Sequence, residues 1–183
     1  NGQLSIAQNV WFVGTANHDE TTVAFADKTY DRSHVQELPD QYLEFKADRK
    51  VGGDPISYEA LQEHFSLARD THKVETQSAL DLLNGNLRSA FAKVGVGWGS
   101  RLERQLKSFI PVVIDAGGTA TEALDHLVAT RLLRKVVDRF DIRADDLGKL
   151  LDEIEVSWKL GQEKPIKSIE KLQNSMTKMS RDG

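Results

Sequence analysis

Asn9-Val-Trp-Phe-Val-Gly14 is a short, unbroken apolar run of β-branched and aromatic residues with polar positions on both sides. Such a run suits a strand buried on both faces of a parallel sheet. A lone strand leaves its backbone groups without partners, so the segment implies neighbouring strands that these 183 residues do not supply. The expected fold class is an α/β fragment followed by a mostly α-helical domain, predominantly helical overall. On this reading the chain is truncated.

Working outward, Leu4-Ser-Ile6 reads as a brief preceding strand, and Val35-Gln-Glu-Leu38 before Pro39 as a short edge strand. A helix over 23–30 lies between them. Residues 46–56, with Gly52-Gly53, form a linker. Beyond it the period becomes helical. Ser57 opens a helix to about Arg69, and a second covers 75–94, with Leu80, Leu83, Leu87 and Phe91 three and four apart. Gly95-Val-Gly-Trp-Gly99 is a turn, after which Ser100 is the expected N-cap of a helix to Ile114, with Glu103 in the capping-box position. Gly117-Gly118 stops it, and Thr121 begins the next helix, to Phe140. Leu147, Leu150, Leu151, Ile154 and Trp158 share a face over 144–159, and a lysine-rich helical tail comes after them. The expected division is 1–45, the linker 46–56, a helical domain over 57–160, and a tail over 161–183.

Composition narrows the classes. Hydrophobic residues make up 39% and charged residues 28%, the balance of a globular chain, and a net charge of -4 gives no global field for nucleic acid. The absence of cysteine excludes disulfides, thiolate metal sites and a cysteine nucleophile, and fits a cytoplasmic setting. No apolar run approaches the ~20 residues of a membrane span. The five histidines show no paired ligand spacing, so no metal site is expected of them.

The strand-like run ends in Gly14-Thr-Ala-Asn17, which delivers an amide beyond the carboxyl end of a central strand, the ligand-binding edge of an open α/β sheet. An asparagine there can hold a water beside a phosphate oxygen, or simply close the turn. The segment Leu4-Ser-Ile-Ala-Gln-Asn-Val-Trp-Phe-Val-Gly-Thr-Ala-Asn17 resembles the sensor-1 segment of AAA+ ring NTPases of the McrB type, the motors of modification-dependent restriction and related defence systems. There the strand ends in Gly-Thr-Met-Asn, and the resemblance makes Asn17 the residue that polarises the attacking water. It also makes the first 45 residues the end of an AAA+ core and the helical half its lid.

The family continues with an acidic-arginine-serine step, a short apolar helix and an arginine-rich end. Here the step is Glu20-Thr21-Thr22, without its arginine, and the helix is Val23-Ala-Phe-Ala-Asp27. The arginine cluster has shrunk to Asp31-Arg32-Ser33. By similarity Arg32 is the candidate arginine finger, acting on the phosphate held by a neighbouring subunit, and Lys28 is its reserve. A guanidinium fork suits the charge of a transferring phosphoryl group. A salt bridge to Asp31 or Asp27 is the plainer use of Arg32.

Gly99-Ser-Arg101-Leu-Glu-Arg104 resembles the start of the lid helix that carries sensor 2, making Arg101 the first and Arg104 the second candidate for a nucleotide-binding arginine. Both also suit an ordinary solvent-facing helix surface. The resemblance implies ATP or GTP with Mg2+, held mainly by a phosphate loop and an acidic strand that this sequence lacks. It further implies a homo-oligomeric ring, a hexamer, with DNA as substrate and a nuclease or other effector as partner. Two other classes stay open: a helical protein-interaction module, and a nucleic-acid-binding domain built on the basic run Arg131, Arg134, Lys135 and Arg139.

Overall fold

The computed structural model describes residues 5–16, 29, 32–36, 38, 53–137 and 139–182. The helical half is as the periodicity implies, but the α/β expectation fails: 68% of the described residues are helical, in six helices, and no strand or sheet occurs among them. Residues 9–14 form irregular backbone, with a turn bond from the Val10 N–H to the Ala7 carbonyl at 3.1 Å. Trp11, Phe12 and Val13 are 65%, 81% and 92% exposed. The reason is the one that made the segment notable: apolar, β-branched residues favour a pleat only where another strand accepts their ladder. The edge strand expected at 35–38 is likewise absent at the described positions 35, 36 and 38, and Ser5-Ile6 forms none. The helix expected over 23–30 lies outside the described residues, except for the helical Thr29.

α1 is Tyr58–Thr71, and its N-cap is the expected Ser57, whose hydroxyl accepts from the Ala60 N–H at 3.1 Å. α2 runs Lys73–Leu82, through a π-helical turn at Leu83–Leu87, and on as Arg88–Lys93. α3 is Ser100–Asp115, continuing through the buried Pro111. α4 runs Ala120–Leu127, a second π-helical turn Val128–Leu133, and Arg134–Val137. α5 is Ala144–Ser157 and α6 is Ile166–Asp182.

Two caps differ from the sequence reading. Gly99, not Ser100, precedes α3, and it makes no side-chain cap bond. Thr119, not Thr121, caps α4 in a reciprocal box with Glu122, at 3.1 and 2.8 Å. Thr121 turns inward instead and donates to the Leu160 carbonyl at 2.5 Å.

α3 is the hub. It packs against α1, α2 and α4, while α6 lies across α4 and α5, and α5 closes against α2. The core joins Leu83, Leu87 and Phe91 of α2 to Leu106 and Ile110 of α3, Leu124, Leu132 and Leu133 of α4, and Leu147 and Ile154 of α5. Each such side chain contributes about 1.5–3 kcal/mol by leaving water. The lysine-rich tail belongs to the same body: Leu172 is fully buried, and Ser168 is tied to Asp125 of α4.

Candidate arginine groove

The second π-helical turn decides where the cations go. An α-helical reading spaces Arg131, Arg134, Lys135 and Arg139 along one solvated face. The π turn inserts a residue into the ladder, rotating the later part of the helix by roughly 100° relative to the earlier part. Arg131 is thereby only 8% exposed, and none of Arg134, Lys135 and Arg139 is fully exposed. Arg139 lies beyond the helix and turns back to the Val94 carbonyl at 2.7 Å and to Asp141. The basic run is therefore not a surface stripe.

Arg131 instead faces the end of α3 that carries Arg101 and Arg104. These three, with Arg69 from the last turn of α1 and Arg32 from the segment before the helical body, line one groove of about 710 Å³. Its apolar wall comes from Phe65, Phe109, Val112 and Leu127. A smaller recess of about 300 Å³ adjoins it, sharing Arg101, Arg104, Gln105 and Arg131 and adding Trp98, Ser100 and Lys135. No carboxylate lines either cavity among the described residues.

Glu103, on the same helix as Arg101 and Arg104, is already engaged: the Arg88 Nη2 donates to it at 3.2 Å and to Asn84 at 2.6 Å. The Arg88 guanidinium also covers the Trp98 ring, 4.7 Å from its centroid. This fastens the 95–99 turn to α2 and sets the uncapped start of α3 at the rim of the recess. The positive end of the α3 dipole adds to the field there. Arg32, Arg69, Arg101 and Arg104 make no ion pair among the described residues. The result is a preformed concentration of guanidinium forks, suited to an anion with several oxygens.

Arg32 arrives by a short strap. The Thr29 carbonyl accepts from the Arg32 N–H, the Ser33 N–H and the Ser33 hydroxyl, at 3.1, 3.1 and 2.8 Å. Arg131 Nη2 then donates to the Ser33 carbonyl. The next residue, His34, sets its ring 4.7 Å from that of Phe109 and 5.2 Å from that of His126. His34 is exposed overall, but desolvation of the ring where it meets Phe109 and His126, and after it the Arg131 charge, hold its pKa below the ordinary value.

Of the residues chosen from sequence, Arg32, Arg101 and Arg104 thus share one groove. Asn17 and Lys28 lie outside the described residues. Sequence reasoning missed Arg69 and Arg131 as members of the site. Arg69 carries no motif, and the burial of Arg131 depends on a π turn that Val128-Ala-Thr-Arg-Leu-Leu133 does not advertise.

No group of three or more His, Cys, Asp or Glu side chains that could hold a metal ion occurs among the described residues. No helix among them is long and apolar enough to cross a membrane. No family model matches the chain, and neither a curated protein nor a solved structure does.

Proposed function

We propose that the helical body is the phosphate-binding lid of a nucleotide-driven ring NTPase of the AAA+ type, and that Arg32, Arg101 and Arg104 take the phosphate chain of ATP or GTP. One observation carries this reading: five arginines from three helices and a strap converge on one groove without an opposing carboxylate. A polyphosphate would neutralise them where water now must. The lid's part is to bind and orient. Magnesium and the attacking water belong to other residues, Asn17 among them by the resemblance.

Because Arg32 lines the same groove as Arg101 and Arg104, the three would address one phosphate chain together. This differs from a finger that reaches only into a neighbouring subunit.

Calorimetric titration of the chain with inorganic tripolyphosphate, ATP and GTP tests the proposal. All three should bind, more weakly as salt rises. Arg101→Glu with Arg104→Glu should cost about a hundredfold in affinity, two charge-assisted contacts being lost. Absence of binding at low salt, or equal affinity in the double variant, sinks it.

The exposed Trp11, Phe12 and Val13 favour a second reading, a helical interaction module whose N-terminal segment packs on another protein chain. It predicts no affinity for tripolyphosphate, and self-association or partner binding that Phe12→Asp abolishes.

A further inference from the structure

We propose that Arg131 is a positioning residue, which holds the strap so that Arg32 enters the groove; the inference rests on the phosphate-binding reading above. Three observations bring it about. Arg131 is nearly buried on a π-helical turn, where a cation without a specific use is costly. Its Nη2 is spent on the main-chain carbonyl of Ser33, the residue next to Arg32. The strap has a second attachment one residue further, where the His34 ring meets Phe109 and His126.

The geometry assigns the two attachments a common effect. Three donors, the Arg32 N–H, the Ser33 N–H and the Ser33 hydroxyl, converge on the Thr29 carbonyl. The turn is therefore tight, and fixing the Ser33 peptide from one side and His34 from the other fixes the direction in which Arg32 leaves the backbone. Arg32 itself is exposed and makes no side-chain hydrogen bond or ion pair among the described residues. Its placement comes from its neighbours. A guanidinium whose backbone is already ordered loses less freedom when it closes on an anion. Arg131 would therefore raise affinity through Arg32, whereas Arg101 and Arg104 would raise it by contact.

A double-mutant cycle on tripolyphosphate affinity separates these modes. Arg32→Ala and Arg131→Gln should each cost about tenfold, the worth of one charge-assisted contact. The double variant should lose little more than either single one. His34→Ala, which leaves the buried arginine in place and guards against a folding defect in Arg131→Gln, should also be non-additive with Arg32→Ala. Arg131→Lys keeps one donor for the Ser33 carbonyl and should recover part of the loss.

A second readout needs no anion. The His34 imidazole resonances, shifted by the Phe109 ring, should move toward random-coil positions in Arg131→Gln and stay put in Arg101→Gln. Additive losses in the cycle, or unchanged His34 resonances in Arg131→Gln, overturn the positioning role while leaving the groove as a phosphate site. No tripolyphosphate binding by the wild-type chain overturns the phosphate reading itself, and this inference with it.

Discussion

Asp125 on α4 holds Ser168 at the start of α6 by two bonds to one carboxylate oxygen: the Ser168 N–H donates at 2.9 Å and its hydroxyl at 2.5 Å. The second oxygen accepts from the Lys167 N–H at 2.8 Å. A buried carboxylate thus satisfies the first free amides of the last helix and sits at the positive end of its dipole. Burial nonetheless prevails over these bonds and raises the Asp125 pKa.

The consequence is testable in stability. Asp125→Ala orphans three donors and should destabilise the chain by about 2–3 kcal/mol. Asp125→Asn should cost less, because its amide oxygen still serves Ser168, though its NH₂ cannot accept from Lys167. The raised pKa sets the sign of the pH dependence. Protonation of Asp125 favours the folded chain, so its advantage over Asp125→Asn is full below the unfolded value of 3.8 and shrinks as pH rises through the folded one. Urea melts of both proteins at a series of pH values measure this. A gap that widens with rising pH would contradict the assignment.

The helices were legible because their burial repeats every three or four residues. The Leu147, Leu150, Leu151, Ile154 and Trp158 face is buried as a unit, and Ser57 caps where its side chain implies. Residues 9–14 misled because hydrophobicity reports burial only when partners are present, and none stands beside them among the described residues. The two π turns are the other blind spot. Leu83-Asn-Gly-Asn-Leu87 is rich in weak helix formers and Val128-Ala-Thr-Arg-Leu-Leu133 is not, so no shared composition marks the π turns, yet the second decides which way Arg131 faces. The groove was half legible. Arg101 and Arg104 stand together in sequence, but Arg32, Arg69 and Arg131 join them only through folding.

Arg88 should matter to the groove although it does not line it. It engages Glu103 and covers Trp98, and with Arg88 42% and Glu103 31% exposed the pair is screened by water, so Arg88→Met should cost only about 1 kcal/mol of stability. The released Glu103 carboxylate would then stand on the same helical turn as Arg101 and Arg104 and compete with an incoming anion. Tripolyphosphate affinity should fall about threefold, a change on the scale of one helix-surface charge pair. Adding Glu103→Gln should restore it. Failure of that restoration would place the loss in the loop geometry instead.

Gly95 ends α2 with φ at +70°, and a Cβ there would stand 3.2 Å from Arg139 Nη1. That nitrogen is the donor to the Val94 carbonyl. Gly95→Ala should therefore destabilise by about 1–2 kcal/mol, from left-handed backbone strain and a disturbed Arg139 bond. Gly95→Asn should cost less in backbone strain, because asparagine tolerates this conformation. Thermal melts of the two variants order them, and alanine above asparagine would refute the strain argument.

The docking of the strap should depend on pH through His34. The groups facing it are Phe109 of α3 and His126 and Arg131 of α4. Arg69, Arg101, Arg104 and Arg32 share its groove. Burial and the Arg131 charge lower its pKa from 6.5, so the docked state disfavours the imidazolium. Docking is at full strength above about pH 6.5 and is lost as pH falls through the lower docked value, because the released strap binds the proton more readily. His34→Phe keeps a ring against Phe109 and removes the proton, so it should hold the strap across the whole window. Nuclear magnetic resonance of the Phe109 ring signals, tracked from pH 7.5 downward to about pH 5 around the ordinary histidine range, makes the comparison. If wild type and His34→Phe respond alike, the acid sensitivity lies in another group, and His34 is only a packing residue.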